Sequence, residues 1–347
     1  MGLRVGKELM PTKYRPIPAM SAVVALVMVV ACSTASDDSI GPIVFNDLGW
    51  DSSLSQNRIA QFIVEKGYGY STGLIEGGTT VAIPALRRGD SDVMMELWLP
   101  NAREAWEEAT AAGEVVSLGE SLSKLSQSAF MIPAYLQEAH PGLDSVEDLK
   151  EEQYRKLFAT PVSGGRARLV SCPDGWACNM VNEIQVDSYG LSDHVHIVVP
   201  ESEAALHSEL FDLYEKREPW LGYLDSSMAP SLKLGMVQLE EPPYSDQCWA
   251  TTKACAYDAT TLLIAVRPEL LMGAPEVADM LRKWDLSADH YTSMSIWRID
   301  NHASHADAAI WWLNNNPGVW SQWVTDEAAN AIRDALENDE RAEGWPD

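Results

Sequence analysis

Past residue 41 the chain alternates short apolar runs with amphipathic stretches. Ile43–Phe45 is a brief β run that ends in Asn46-Asp47-Leu48-Gly49-Trp50. From Ser53 to Lys66, Ile59, Phe62 and Ile63 share one helical face, and Gly67 stops the helix. Tyr70–Ile75 reads as a strand, Thr79–Arg88 as a helix closed by Gly89, Asp92–Trp98 (DVMMELW) as a buried strand and Asn101–Ala112 as a helix. This β-α-β-α-β-α order predicts a parallel sheet with helices on both faces. A second series follows: helix Ser145–Phe158, strand Arg168–Val170, helix Asn179–Tyr189, strand Val195–Val199, helix Ser202–Lys216 and strand Trp220–Leu224. Gly235–Leu239 and Thr261–Val266 read as further strands, and the rest as helix. Two α/β series predict two lobes with a cleft between them.

The N-terminus follows a different pattern. Arg4, Lys7, Lys13 and Arg15 make a basic segment, and Ala19–Val30 is an apolar run too short to span a bilayer, which needs about 20 residues. The run closes in Val29-Val30-Ala31-Cys32, which resembles a bacterial lipobox. Residues 1–31 are therefore expected to be a lipoprotein signal peptide, with Cys32 the lipidated residue. Residues 32–41, small and polar, would be the tether. The expected location is the cell envelope, on the outer face of the cytoplasmic membrane.

Export changes the reading of the cysteines. Cys172, Cys178, Cys248 and Cys255 allow three disulfide connectivities, and the short spacings favour Cys172–Cys178 and Cys248–Cys255. A four-cysteine zinc site fits poorly, because zinc pairs sit closer together. The net charge of −26 makes nucleic acid an unsuitable partner.

Thirteen tryptophans are present. Trp311, Trp312, Trp320 and Trp323 belong to a helical C-terminal region and read as packing residues. Trp249, inside the second cysteine loop, reads as a surface residue. Trp50, Trp98 and Trp176 differ, since each lies at or just past the carboxyl end of a strand. In open α/β sheets that edge is the ligand crevice. Several indole faces around one point attract a quaternary ammonium, each contributing about 0.5–2 kcal/mol. Glu96 shares the side of its strand with Trp98 and is placed to reach such a cation.

At these residues the chain resembles the glycine betaine/choline-type substrate-binding proteins of ABC transporters. The resemblance runs from about Ile43 to Val324 and rests on GWDSSLSQNRIAQFIVEKGYGY, GDSDVMMELWLPN, CPDGWAC, EPWLGYL, LEEPPYSDQCW and AAIWWLNNNPGVWSQWV. It implies a type II periplasmic-binding fold, with two α/β lobes closing over a methylated amine delivered to a permease. It also implies an aromatic box containing Trp98 and Trp176, with Trp50 in an aromatic position. The backbone N–H groups of Ala177 and Cys178 would hold a ligand carboxylate, as a helix N-terminus does. The chain departs from the family in Gly222-Tyr223-Leu224-Asp225, where Asp225 replaces a box tryptophan, and at Ala102, where some relatives have histidine. Tyr223 and Asp225 join the expected ligand contacts. An acid there favours a cation without a carboxylate, such as choline, or a ligand that donates hydrogen bonds, over glycine betaine.

The expected division is residues 42–132 plus 262–347 for the first lobe and 133–261 for the second. No cofactor or metal is implied: His302-x-x-His305 and His194-x-His196 lack metal-site context and read as surface histidines. No P-loop or nucleophile elbow is present. The rival readings are a secreted cleft enzyme such as a glycosidase, which needs two facing carboxylates, and a sensory binding protein uncoupled from transport.

Overall fold

The structure, a computed structural model, describes residues 41–123, 128–259 and 262–346. The signal, lipobox and nearly all of the tether therefore lie outside the described residues. None of the described helices is long and apolar enough to cross a membrane.

Twelve strands run in chain order: β1 Ile43–Asp47, β2 Thr72–Glu76, β3 Val93–Trp98, β4 Val116–Glu120, β5 Leu122–Ser123, β6 Ser128–Pro133, β7 Ala167–Val170, β8 Val195–Val198, β9 Gly222–Asp225, β10 Met236–Gln238, β11 Leu262–Val266 and β12 Leu286–Ser287. Helices of eight or more residues are α1 Asp51–Phe62, α2 Thr79–Arg88, α3 Leu99–Ala111, α4 Ala177–Ser188, α5 Glu203–Glu215, α6 Pro275–Arg282, α7 Ala288–Asp300, α8 His305–Asn315 and α9 Asp326–Glu337.

One five-stranded sheet has the order β2-β1-β3-β11-β4 and the other β10-β6-β9-β7-β8. In the first sheet β1 runs parallel to β2 and β3, as the alternation predicts. The sheet as a whole is mixed, because β11 is antiparallel to β3 and to β4. The second sheet is also mixed: β7 is parallel to β8 and β9, while β6 is antiparallel to β9. Strand β6 pairs only in the second sheet, so the chain leaves the first sheet before Ser128 and not at residue 132. The expected helix Ser145–Phe158 is broken. A capping box at Ser145 starts a 3₁₀ turn over Val146–Lys150, Glu151 is extended, and one α turn follows.

Each sheet has its own core. Phe45, Phe62, Met94, Trp312 and Trp320 belong to the first, and Phe130, Leu169, Leu206 and Trp220 to the second. The C-terminal helices pack on the first sheet, where Trp312, Trp320 and Trp323 are buried and Trp284 lies 4.5 Å from Trp323. Trp249 is not at the surface. It is buried in the second core, 5.2 Å from Tyr257, because its short helix folds inward behind the second cysteine pair.

Candidate functional site

The carboxyl ends of β1, β3 and β7 bring three indoles to one place. Trp50 sits in the turn from β1 to α1, Trp98 ends β3 just before α3, and Trp176 precedes α4. The loop carrying Trp176 is closed by the Cys172–Cys178 disulfide, and Gly175 takes a left-handed φ of 81°. The second bridge joins Cys248 to Cys255. Trp50, from the first sheet, meets Trp176, from the second, edge to face with centroids 5.0 Å apart. A small, nearly closed cavity lies here. The first sheet's side supplies Trp50, Thr79, Trp98 and Asn101; the second supplies Trp176, Ala177, Cys178, Tyr223 and Asp225. Thr79 and Asn101 went unmarked in the sequence. Their signal is positional: Thr79 opens α2 after β2, and Asn101 follows Trp98-Leu99-Pro100.

The two sides touch beside this cavity. Thr80 Oγ1 donates to the Gly175 carbonyl at 3.1 Å. A Cβ on Gly78 would fall 2.4 Å from that same carbonyl oxygen. The glycine turn before α2 is therefore required for contact with the tryptophan loop, beyond making a tight turn.

Glu96 occupies a different place from the expected one. It is fully buried and lies behind the cavity wall, where it accepts hydrogen bonds from the wall itself. Trp50 Nε1 donates to its Oε2 at 2.6 Å, Ser52 Oγ at 2.9 Å and Trp98 Nε1 at 3.3 Å, while Gln56 donates to Oε1. Strand alternation set its side correctly; the indoles stand between its carboxylate and the cavity. Burial pushes Glu96 up to about 7, and the four hydrogen bonds hold it from rising further. Its chemistry is to fix two ring planes.

Asp225 lines the cavity and is buried. Its Oδ1 accepts from the backbone N–H of Ser227 at 2.7 Å and from the Ser227 hydroxyl. Burial raises its proton affinity, while the Ser227 bonds oppose that rise. Tyr223 OH lies 2.8 Å from Ser128 Oγ, and burial raises its pKa. Opposite these groups is the N-terminus of α4, whose cap Trp176 makes no side-chain hydrogen bond. The first-turn amides of a helix have no intrahelical partner, so those of Ala177 and Cys178 are available to a ligand oxygen. The lining therefore offers indole faces, one buried acid and a helix N-terminus, with no basic side chain.

Of the histidine pairs, His302 is exposed, while His194, His196 and His305 contact neighbouring side chains. His305 Nδ1 lies 3.1 Å from Ser55 Oγ and its Nε2 3.3 Å from Asp51 Oδ1. His194 and His196 contact Arg155 and Arg166. One group of potential metal-ligating side chains exists among the described residues: Asp51, Glu203 and His207, with ligand atoms within 4.8 Å of one another. Arg298 and His305 already hold the Asp51 carboxylate.

Comparison with known proteins points the same way. Residues 41–315 match the family model described as the substrate binding domain of ABC-type glycine betaine transport system. A trimethylamine N-oxide-binding protein of Pelagibacter ubique is 25% identical over 315 residues, covering 89% of this chain and 98% of that protein. An ABC-transporter choline binding protein in complex with choline superimposes with a TM-score of 0.70 at 17% identity, covering 85% of this chain and 98% of the other. Lactococcal OpuAC, closed and complexed with glycine betaine, gives a TM-score of 0.64 at 18% identity, covering 82% and 100%. These likenesses establish the two-lobed periplasmic-binding fold.

Proposed function

We propose, from the premise that this chain belongs to the family of substrate binding domains of ABC-type glycine betaine transport systems, that its ligand is a small methylated amine without a carboxylate. The family is one of solute-binding proteins that work outside the cytoplasm with an ABC permease, and not one of enzymes. The observation carrying the narrower reading is the lining: Trp50, Trp98 and Trp176 converge where Asp225 is the only ionisable acid on the wall and no base offsets it. The indole faces suit methylated ammonium, which is charged and poor at hydrogen bonding. Asp225 supplies a counter-charge to choline; protonated, it donates to an N-oxide oxygen. The amides of Ala177 and Cys178 receive the hydroxyl or N-oxide oxygen. A ligand carboxylate entering the same space meets the charge of Asp225 at close range. The lobes assigned to this closure are residues 41–123 plus 262–346 and residues 128–259. The run ending at Cys32 supports a lipid anchor on the outer face of the membrane.

Asp225→Asn tests the assignment. Removing the negative charge is expected to tighten glycine betaine by roughly tenfold or more, since two like charges a few ångströms apart at an effective dielectric near 20 repel by about 2–4 kcal/mol. Choline should weaken in the same variant. Calorimetric titration of both ligands reads the crossover. Equal changes for both would remove Asp225 from ligand selection.

A further inference from the structure

A second polar contact crosses the cleft next to Trp50. Asp51 opens α1, and the cap residue, Trp50, provides no side-chain acceptor. The acceptor comes from the other lobe: the Asp51 backbone N–H donates to Glu203 Oε2 at 2.6 Å, between residues 152 apart in sequence. Glu203 is the first residue of α5 and is buried. Side chains from α1, α7, α8, β9 and α5 itself face it. From α1, the Asp51 carboxylate is paired with Arg298 of α7 and lies 3.3 Å from His305 of α8. From α5 itself, His207 Nε2 lies 3.5 Å from Glu203 Oε1, is buried and makes no hydrogen bond. Tyr223 and Asp225 of β9 and Tyr291 of α7 also face it.

We propose that Glu203 is a positioning residue for ligand capture: by capping α1 across the cleft, it ties closure of the lobes to the placement of the Trp50 wall. The proposal rests on reading the cleft as the solute site. An orphan amide at a helix N-terminus attracts an acceptor. Each time the lobes part, that amide and Glu203 both face water, so exchange at the amide reports how often the contact opens. With the lobes together, each supplies the other's lost hydration.

Closure also has a proton balance. Burial, reinforced by the charge of Asp51, raises the pKa of Glu203 well above its ordinary value. Burial lowers His207 to about 4. A proton on Glu203 Oε1 faces His207 Nε2, which otherwise lacks a partner. The sign follows from the two shifts. Where the open state holds Glu203 as an anion, closure takes up a proton on it, so closure weakens as pH rises through the raised pKa. Below about pH 6.5 closure also expels the proton of His207, whose pKa falls to about 4, and this opposes the uptake on Glu203. The anion on Asp51, which burial raises but His305 and Arg298 hold at about 2, does not titrate in this window.

The test compares wild type, Glu203→Gln and Glu203→Ala by tryptophan-fluorescence titration with choline across this pH range. Glutamine keeps an oxygen that accepts from Asp51 and has no proton to lose. Glu203→Ala is expected to bind about tenfold more weakly than wild type. Glu203→Gln should approach wild type only near about pH 4.5, gain affinity as pH rises toward about 6.5 because His207 alone still titrates, and lack the alkaline fall, which approaches tenfold per pH unit at most. Wild-type affinity in Glu203→Ala, or an unchanged alkaline fall in Glu203→Gln, overturns the proposal. Hydrogen exchange of the Asp51–Ser55 amides without ligand supplies an independent reading. Exchange is expected to be faster in Glu203→Ala alone, and equal rates in all three proteins overturn the latch. If wild type binds no methylated amine, the solute reading fails, and the exchange result still decides the latch.

Discussion

Glu96→Ala is expected to lose both fold stability and ligand affinity. The substitution leaves Trp50 Nε1, Trp98 Nε1, Ser52 Oγ and Gln56 Nε2 facing a buried space without their acceptor. Leaving a buried donor without its acceptor costs about 1–3 kcal/mol. Urea unfolding reads that loss. The indoles also lose the group that fixes their planes, so the surviving folded protein should bind its ligand more weakly. A pH series adds a signature. The pKa of Glu96 is raised in the folded state to about 7 from an ordinary 4.5, so its stabilising contribution is complete below about pH 4.5 and is lost as pH rises through 7. The shift corresponds to roughly 3 kcal/mol. Glu241, buried and also pushed up to about 7, titrates in the same window. The difference between wild type and Glu96→Gln therefore isolates Glu96: the wild type should lose more stability between about pH 5 and pH 8. Identical pH profiles would contradict the role given to Glu96.

The second large effect is expected at Trp176. Trp50 and Trp98 are buried in the first core, but Trp176 is half-exposed and is held out by a disulfide loop. Trp176→Ala should therefore change stability little and binding strongly. Loss of one indole wall is worth about 1–3 kcal/mol, or roughly 5- to 150-fold in affinity. Trp311, half-buried and stacked on Trp297 with centroids 4.9 Å apart, does not line the cavity. Trp311→Ala is the control, with unchanged affinity. Equal effects at the two positions would separate Trp176 from the ligand.

Much of this architecture was legible in the chain, and the failures have physical causes. The alternation of β1, α1, β2, α2, β3 and α3 follows from local periodicity, and the bounds of α2 match its run from Thr79 to the Gly89 stop. The three tryptophans were readable because each sits at or just past the carboxyl end of a strand, the edge at which open α/β sheets form a crevice. Strands β4 and β6, VSLGE and SAFMIP, escaped because their pairing partners lie far away in sequence. β4 borders β11, more than 140 residues later, and β6 borders β9 and β10. The alternation that set Glu96 beside Trp98 gave a direction without a depth, so its place behind the indoles was hidden. The Glu203–Asp51 contact has no local signal, since it forms only where two lobes meet.

Isothermal titration of the wild-type protein with choline, trimethylamine N-oxide and glycine betaine tests the central claim most directly. One saturable site per chain for choline or trimethylamine N-oxide, with glycine betaine at least about tenfold weaker, is the predicted result. Glycine betaine binding as tightly as both of the others, or no binding of any methylated amine, would contradict it.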